Sequence, residues 1–288
     1  MDILEQIIAT KQHEVEVLRH QLPEQDLYTF VHQVMEGQPI APHHPLYAYT
    51  DTCARTRTSM SQALQQSATG IIAEFKRKSP SKGWIHQDAT PQQVIPAYEQ
   101  AGAAAVSVLT DEQYFGGSTQ YLYSARPLVQ LPLLRKEFIV HPYQVYGARL
   151  LGADAILLIA AALTRQTCRE LSSLARQLGL EVLLEIHGQA ELDYADCQPH
   201  LLGVNNRNLG TFHTDVANSF HLAPMLPTGV TWVSESGIDS PHTITALRQA
   251  GYRGFLMGEV FMRHHQPQQA LSQLISQINP TSHANTTH

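Results

Sequence analysis

Regular alternation of strand-like and helix-like segments begins with the stretch Ile71-Ile72-Ala73-Glu74-Phe75-Lys76-Arg77-Lys78-Ser79-Pro80-Ser81-Lys82-Gly83. A short apolar run of strand length leads into Ser-Pro-Ser-Lys-Gly, which has the composition of a loop. Because side chains alternate along a strand, Glu74 and Lys76 share one face. Two opposite charges at a strand end are costly in a core and useful in a site. A solvated ion pair on an edge strand is the alternative that this stretch alone leaves open.

Eight short apolar runs alternate with helix-like segments from this point onward. The predicted strands cover residues 70–75, 104–109, 131–136, 155–160, 181–185, 201–205, 230–234 and 254–257, and predicted helices between them include 91–101, 142–151, 167–178 and 241–250. Several helices run into a glycine, which is a helix-end signal. This pattern predicts an α/β fold, a (β/α)₈ TIM barrel. A doubly wound open sheet is the competing architecture, but the G-x-G-x-x-G turn expected after its first strand is absent.

The segment before the barrel reads as a helical prelude. Residues 3–21 carry an apolar stripe at helical spacing, residues 59–66 form a second short helix, and residues 36–52 read as a loop. We therefore expect residues 1–69 to form a helical extension that packs on a barrel of residues 70–279. The polar tail, residues 280–288, is expected to be disordered.

The composition fits a globular protein and offers nothing to hold nucleic acid. Hydrophobic residues make up 43% of the chain and the formal charge is −6, so the basic field that attracts nucleic acid is missing. Three cysteines without a C-x-x-C pair predict a reducing compartment. The sixteen histidines show no metal-binding spacing. With no signal-peptide pattern and no apolar run near the ~18 residues of a membrane span, we expect a cytoplasmic protein without membrane contact.

Polar side chains follow most of the apolar runs, at the ends that form the active site in such barrels. Lysine and glutamate dominate, whereas ordinary strand-to-loop positions would scatter Ser, Asn, Asp and Gly. This favours acid–base chemistry on a carbonyl or an imine. The candidate residues, in chain order, are Glu74, Lys76, Lys136, Glu185, Asn205, Arg207, Glu235 and Glu259.

The last two strand ends favour a phosphate site. The loops after strands 7 and 8 often bind phosphate in these barrels. Ser236 offers a hydroxyl, and Gly237 and Gly258 each offer an unhindered backbone N–H. A role as ordinary helix-boundary residues is the alternative for both glycines.

Taken in order, these residues resemble the indole-3-glycerol phosphate synthase family of tryptophan biosynthesis. The E-x-K-x-x-S-P-S motif from Glu74 to Ser81 is quite specific to that family, and the ordered set of matches is very specific. The resemblance runs nearly end to end and includes Ile3-Leu4-Glu5-Gln6-Ile7, Ser107-Val108-Leu109-Thr110-Asp111, Phe115-Gly116-Gly117-Ser118, Leu134-Arg135-Lys136-Glu137-Phe138-Ile139, Gly203-Val204-Asn205-Asn206-Arg207-Asn208-Leu209 and Ser234-Glu235-Ser236-Gly237-Ile238.

The resemblance implies a carboxy-lyase that acts on 1-(2-carboxyphenylamino)-1-deoxyribulose 5-phosphate. Its reaction closes the pyrrole ring with loss of CO2 and water and gives indole-3-glycerol phosphate. The resemblance implies no metal or organic cofactor. We expect a phosphorylated small molecule as the substrate, and a monomer or weak homodimer.

The same resemblance implies the roles of four catalytic residues. Lys136 is the general acid that protonates the substrate carbonyl as the aromatic carbon attacks. Glu185 stabilises the developing positive charge and helps to remove a proton. Lys76 binds the phosphate or carboxylate region and acts as the acid in the dehydration, with Glu74 as its base.

Supporting positions also follow from the resemblance. Asn205 and Ser79 position the substrate, whereas Arg207 and Glu235 support the site electrostatically. Phe115 forms an apolar wall for the anthranilate ring. The phosphate-binding positions are Lys76, Ser236, Gly237, Gly258 and Glu259.

Two features raise questions for the structure. A lysine pKa of ~10.4 is poorly matched to acid catalysis, so we expect burial or a neighbouring cation, Lys76, to lower the pKa of Lys136. Glu259 stands where the family often has a small residue. Its backbone N–H would serve the phosphate while its carboxylate turns away.

Three other functions compete with this interpretation. A related phosphosugar isomerase is expected to place a Cys and an Asp at strand ends, and this chain has neither at its first strand. A Schiff-base aldolase would use Lys136 as the nucleophile. A non-catalytic barrel serving as a partner subunit has little reason to keep two charges at the end of one buried strand.

Overall fold

Eight parallel strands close into a barrel in the computed structural model, which describes residues 3–208 and 210–278. The barrel confirms the predicted fold class. In chain order the strands are β1 (Ile71–Phe75), β2 (Ala105–Leu109), β3 (Leu133–Lys136), β4 (Ala155–Ile159), β5 (Glu181–Ile186), β6 (Leu201–Asn205), β7 (Thr231–Glu235) and β8 (Gly254–Met257). Strand β1 closes the barrel, because Ile72 is in register with Ala105 of β2 on one side and with Leu256 of β8 on the other.

The strands are apolar on both faces because each face packs against a different core. All five residues of β1, of β2 and of β4 are buried, as expected for parallel strands covered by helices. One core fills the barrel interior, where Leu134, Leu183 and Val233 meet. The other core lies between the strands and the surrounding helices.

Helices surround the barrel and also precede it. Within the described residues the α-helices are α1 (Ile3–Gln21), α2 (Glu24–Met35), α3 (Thr50–Ala54), α4 (Met60–Gln66), α5 (Pro91–Gln100), α6 (Thr119–Ala125), α7 (Pro142–Leu150), α8 (Arg165–Gln177), α9 (Ala217–Leu222), α10 (Pro241–Gln249), α11 (Glu259–Met262) and α12 (Pro267–Ile278). Helix α4 supplies Met60 and Leu64 to the interior core, and its N-cap Ser59 accepts a hydrogen bond from the backbone N–H of Gln62.

The segments before the barrel differ from the sequence prediction in two respects. Helix α1 has the predicted bounds, but α2 was not predicted, and helix α3 begins inside the segment 36–52 that was predicted to be a loop. The signal for α2 is present in the sequence, because Leu27, Phe30, Val31 and Val34 form an apolar stripe that is buried in the fold. The predicted disordered tail, 280–288, lies outside the described residues. Among the described helices, none combines the length and the apolar character needed to cross a membrane.

Candidate active site

A cavity of about 560 Å³ opens at the carboxyl ends of the strands. This volume suits a small-molecule site, since ligand pockets span roughly 300–1,000 Å³. Its wall includes residues from strand ends, from the loops that follow them and from helix α1. The cavity brings together Glu74, Lys76, Phe115, Lys136, Glu185, Asn205, Arg207, Glu235, Ser236, Gly237, Gly258 and Glu259.

Ser79 is the predicted site residue that does not line this cavity. It is buried, with 2% of its surface exposed, and its Oγ lies 3.5 Å from the Oγ of Ser81. Residues Lys78–Ser79 pair antiparallel with Gly83–Trp84 in a small hairpin after β1. The tip of that hairpin, Pro80, Ser81 and Lys82, reaches the cavity instead.

Lys136 and two carboxylates form the charged centre of the cavity. The Nζ atom of Lys136, at the end of β3, lies 2.5 Å from Glu235 Oε2 and 3.1 Å from Glu185 Oε2. These partners come from the ends of β7 and β5. The two carboxylates are nearly fully buried, whereas 13% of the Lys136 side chain is exposed. One ammonium is therefore shared by two buried anions and remains accessible from the cavity.

The environment raises the pKa of Lys136, so the predicted lowering was wrong. Burial acts to lower this pKa, but Glu235 and Glu185 outweigh burial and shift it above its usual range. The predicted neighbouring cation does not act here, because Lys76 is paired with Glu74 at 2.7 Å. Lys136 is thus an ammonium in the unliganded cavity.

The two carboxylates beside Lys136 have opposite shifts. Burial acts to raise the pKa of Glu185, but Lys136 and His187 hold it well below the usual range. Burial and the neighbouring Glu185 raise the pKa of Glu235 to about 7, against the opposing effect of Lys136. Two carboxylates that share one cation cannot both ionise easily, so the pair titrates as a unit.

Two glycines make room for the carboxylates. A Cβ on Gly258 would lie 2.6 Å from Glu74 Oε1, and a Cβ on Gly203 would lie closer still to Glu235 Oε1. A Cβ atom and a carboxylate oxygen that are not covalently bonded to each other do not approach this closely. Gly258 was predicted for its backbone N–H, and the structure adds a steric reason for a glycine at that position.

The turn after β7 has an unusual backbone. Ser236 and Gly237 both adopt positive φ, +68° and +74°, a left-handed conformation that is costly for a serine. The side chain of Asn206 fixes this turn, since its Nδ2 donates to the Ser236 carbonyl at 3.0 Å. In such a turn, successive backbone N–H groups can point toward the same side, where they can donate hydrogen bonds to a bound anion.

Cations surround Glu259 at the same end of the cavity. Its carboxylate lies 3.8 Å from Lys82 Nζ and 3.9 Å from the nearest Arg207 nitrogen, and Arg263 also lines the wall. The Glu259 side chain therefore faces cations in the unliganded chain.

Comparison with known proteins assigns the family. A family model described as indole-3-glycerol phosphate synthase matches residues 4–274. The chain belongs to the indole-3-glycerol phosphate synthase family. A relative of that name from Bacteroides thetaiotaomicron is 49% identical over 277 residues, which is 96% of this chain and 99% of the relative. One from Magnetococcus marinus is 43% identical, over 96% of this chain and 98% of the relative.

Solved structures support the fold alone. A mutant tryptophan synthase α-subunit from Pyrococcus furiosus superposes with a TM-score of 0.56 at 12% identity, over 73% of this chain and 97% of that chain. Thiamine phosphate pyrophosphorylase from the same organism gives 0.56 at 12% identity, over 77% and 98%. Family membership itself makes the chain a carbon–carbon lyase of tryptophan biosynthesis, as the sequence predicted.

Apart from Phe115, sequence reasoning missed the apolar part of this synthase-family cavity. Phe138, Leu157 and Ile159 line it from the barrel side, and Ile3, Leu4 and Ile7 line it from helix α1. Phe138 was open to prediction, because it lies two residues beyond Lys136. The stripe on α1 was recognised as apolar, but the sequence does not say which surface that stripe covers.

Proposed function

We propose that this cavity converts 1-(2-carboxyphenylamino)-1-deoxyribulose 5-phosphate into indole-3-glycerol phosphate, CO2 and water. The arrangement of Lys136 between Glu185 and Glu235 carries the proposal. It places one accessible ammonium among buried carboxylates, next to apolar walls that suit an aromatic ring. At another part of the wall, Lys82, Arg207 and Arg263 together with the Ser236–Gly237 turn suit a phosphate.

The first step is attack of the carboxylate-bearing ring carbon on the ketone of the sugar. A carbon–carbon bond forms, the carbonyl oxygen gains negative charge, and the aryl nitrogen becomes an iminium. Lys136 donates a proton to that oxygen, and Glu185 stabilises the iminium. These charges are larger in the transition state than in the ground state, so their stabilisation accelerates the reaction.

Loss of CO2 and of water completes the reaction. When the bond to the carboxyl carbon breaks, its electron pair returns to the ring and neutralises the iminium. Lys76 then protonates the departing hydroxyl, and Glu74 accepts a proton from the sugar-derived methylene carbon. The 2.7 Å ion pair between these two side chains supports this assignment, because it places acid and base together at the end of β1.

The remaining predicted residues bind and orient the substrate. Asn205 lines the cavity beside Glu185 and helps to keep the pKa of that carboxylate low. Phe115 and Phe138, with ring centroids 6.0 Å apart, form the wall for the anthranilate ring. Ser236, Gly237, Gly258 and the backbone of Glu259 bind the phosphate. Ser79 acts by shaping the hairpin that carries Pro80 to Lys82.

The Schiff-base alternative is disfavoured by the charge state of Lys136. An amine must be neutral to attack a carbonyl, whereas the two carboxylates raise the pKa of Lys136. Borohydride treatment in the presence of substrate distinguishes the two mechanisms. We expect no covalent adduct by mass spectrometry, and an adduct on Lys136 would favour the aldolase.

Indole fluorescence on addition of the anilino-deoxyribulose phosphate tests the proposed function directly. The wild-type chain is expected to produce the indole signal together with CO2, and Lys136→Ala is expected to produce almost none while keeping its circular dichroism spectrum. If the wild-type chain gives no indole product, the proposed ring-closing reaction is wrong.

The proposal extends to the organisation and location of the chain. The helices before the barrel form an extension, residues 1–69, on a barrel of residues 70–279, and the chain acts as a monomer or weak homodimer in the cytoplasm. The buried free thiols of Cys53, Cys168 and Cys197 support a reducing compartment. Sedimentation at micromolar concentration measures the oligomeric state.

A further inference from the structure

His187 contacts the carboxylate of Glu185 but does not itself line the cavity. It follows strand β5 as the second residue after Glu185, and a spacing of two along a strand places both side chains on one face. Glu185 lines the cavity. The His187 side chain is only 16% exposed, and it has no part in the roles proposed above.

Each ring nitrogen of His187 faces a different carboxylate. Nε2 lies 3.3 Å from Glu185 Oε1, and Nδ1 lies 3.5 Å from Glu191 Oε2. Both nitrogens are buried, and neither makes a hydrogen bond of regular geometry among the described residues, so the contacts with the two carboxylates are ion-pair contacts. Two carboxylates this close favour the doubly protonated ring, because an ionised carboxylate offers no proton and attracts positive charge. The geometry therefore indicates an imidazolium.

The backbone holds His187 in this position. The same Glu191 oxygen accepts the backbone N–H of His187 at 2.6 Å. The His187 carbonyl accepts a hydrogen bond from Asn218 Nδ2 at 3.1 Å. Glu191 thus holds both the main chain and the Nδ1 side of the His187 ring. The Nε2 side of the ring faces Glu185.

The charges of the site explain why a third cation is useful. Three buried carboxylates, Glu74, Glu185 and Glu235, face only two lysines, Lys76 and Lys136. A buried carboxylate without a cation tends to take up a proton. Glu185 meets Lys136 through Oε2 and His187 through Oε1, so each oxygen of this carboxylate has its own cation.

We propose that His187 is a positioning residue for Glu185: as an imidazolium anchored by Glu191, it keeps Glu185 ionised and holds its second oxygen toward Lys136 and the reacting atoms. This inference rests on the proposed function, because it gives Glu185 its catalytic role. Burial acts to lower the pKa of His187, but its contacts with Glu185 and Glu191 outweigh burial and raise the pKa to about 10. Glu185 and Glu191 are the titratable groups that face the ring, and Lys136 lies beyond Glu185.

Two substitutions separate the position of the carboxylate from its charge. His187→Leu removes both the donor and the cation, whereas His187→Gln keeps an N–H donor near the place of Nε2 without the charge. We expect His187→Leu to lower kcat roughly 10- to 100-fold with little change in KM. We expect His187→Gln to recover part of that loss.

The pH profile supplies a readout that a purely structural role would not change. Removing a cation makes a carboxylate harder to ionise. The effect on Glu185 is measured in a Glu235→Gln background, because the raised pKa of Glu235 otherwise sets the acid limb of the kcat profile. In that background the limb should move to higher pH with both substitutions of His187. His200→Leu is the matched control. That histidine is half-buried before β6, where its Nδ1 accepts the backbone N–H of Val182, and its loss should leave kcat and the profile unchanged.

The charge of His187 can be measured without turnover. In a chain labelled with ¹⁵N-histidine, the resonances missing from His187→Gln identify His187, and they should report a protonated ring at pH 8 in the wild type. In Glu191→Gln the same ring should lose its proton at lower pH. A neutral His187 at pH 8, or a His187→Leu substitution that leaves kcat at the wild-type value and the acid limb in the Glu235→Gln background unmoved, would overturn the inference. If the wild type makes no indole, the proposed function fails, and the ¹⁵N spectrum still decides the charge of His187.

Discussion

Two buried lysines of this chain have similar surroundings and different access to the cavity. Lys136 contacts Glu185 and Glu235, whereas Lys11 of helix α1 lies 2.6 Å from Asp111 and 2.7 Å from Glu14. Carboxylates raise the pKa of both lysines against the effect of burial. The Lys136 side chain is 13% exposed and lines the cavity, but the Lys11 side chain is 3% exposed and does not.

The difference shows that a cluster of charges does not make a site by itself. Lys11 also reaches Glu137, the residue directly after Lys136, at 3.4 Å. Asp111 in turn accepts the backbone N–H groups of Tyr114 and Phe115, which fixes the loop that carries an aromatic wall of the cavity. The Lys11 cluster therefore fastens helix α1 to the loops after β2 and β3, while the Lys136 cluster lines the cavity.

Substitution of Lys136 should have the largest effect on turnover. In the proposed mechanism the ammonium protonates the carbonyl oxygen, so Lys136→Met should lower kcat by about 10³-fold, within the range found for general acids. The melting temperature should fall, because two buried carboxylates lose their cation, but the variant should stay folded at the assay temperature because the raised pKa of Glu235 allows this carboxyl to take up a proton. Stopped-flow indole fluorescence and a thermal melt measure the two effects. Retained turnover would remove Lys136 from the mechanism.

A substitution that adds a methyl group beside the Lys136 cluster without changing a charge should have a smaller effect on kcat. Gly203→Ala places a methyl group against Glu235 Oε1 and should displace that carboxylate from Lys136, lowering kcat roughly 10- to 100-fold. Gly147→Ala is the matched control, since its Cβ would meet Arg135 at an ordinary 3.4 Å. Equal kcat values for the two variants would show that turnover does not depend on the position of the Glu235 carboxylate relative to Lys136.

Substitution of Lys11 should affect stability rather than turnover. Lys11→Met leaves Asp111 buried without its cation, and Glu137 with Arg135 at 3.8 Å as its remaining cation, and should lower the free energy of unfolding by about 3 kcal/mol. Since Ile3, Leu4 and Ile7 line the cavity, KM should rise while kcat stays within about threefold of the wild type. Urea denaturation and steady-state kinetics test both parts. A loss of kcat as large as that of Lys136→Met would contradict the distinction between the clusters.

The pH dependence should show the smallest and most specific difference. The pKa of Glu235 is raised to about 7, so its carboxyl is protonated below that pH, and kcat should rise as the pH increases through about 7. Glu235→Gln cannot lose a proton, so its acid limb should move to the lower pH at which Glu185 ionises. Measuring kcat at saturating substrate avoids ionisation of the free substrate phosphate, which has a pKa of about 6. If the acid limb of the Glu235→Gln profile is the same as that of the wild type, a group other than Glu235 is responsible for the limb.

Much of the fold could be predicted from local patterns. The strand bounds differ from prediction by only one or two residues, because short apolar runs that end in polar loops mark strands buried on both faces. Helix α2 was missed although its stripe is visible, and the segment 36–52 was predicted as loop because proline and histidine are frequent there and Gly37 stands at its beginning.

Every site residue that the sequence predicted, with the exception of Ser79, lines the candidate site, but the sequence did not predict the direction in which the pKa of Lys136 is shifted. The polar residues at strand ends identified Lys136 and its partners, and the family resemblance named their roles. The pKa of Lys136 was predicted in the wrong direction, because Lys76 was expected as its neighbour. Its real neighbours are 49 and 99 positions away in the chain, and Coulomb interactions depend on distance in space.

The sequence by itself determined the alternating strands and helices, the barrel they form, the family and the set of residues at the carboxyl ends. These depend on local periodicity and on motifs that are read along the chain. Only the tertiary structure decided that Lys136 pairs with Glu185 and Glu235, that helix α1 lines the cavity and that Ser79 does not. The pairs of Lys136 depend on the register in which eight strands close, which brings distant residues within about 3 Å, where hydrogen bonds and ion pairs form.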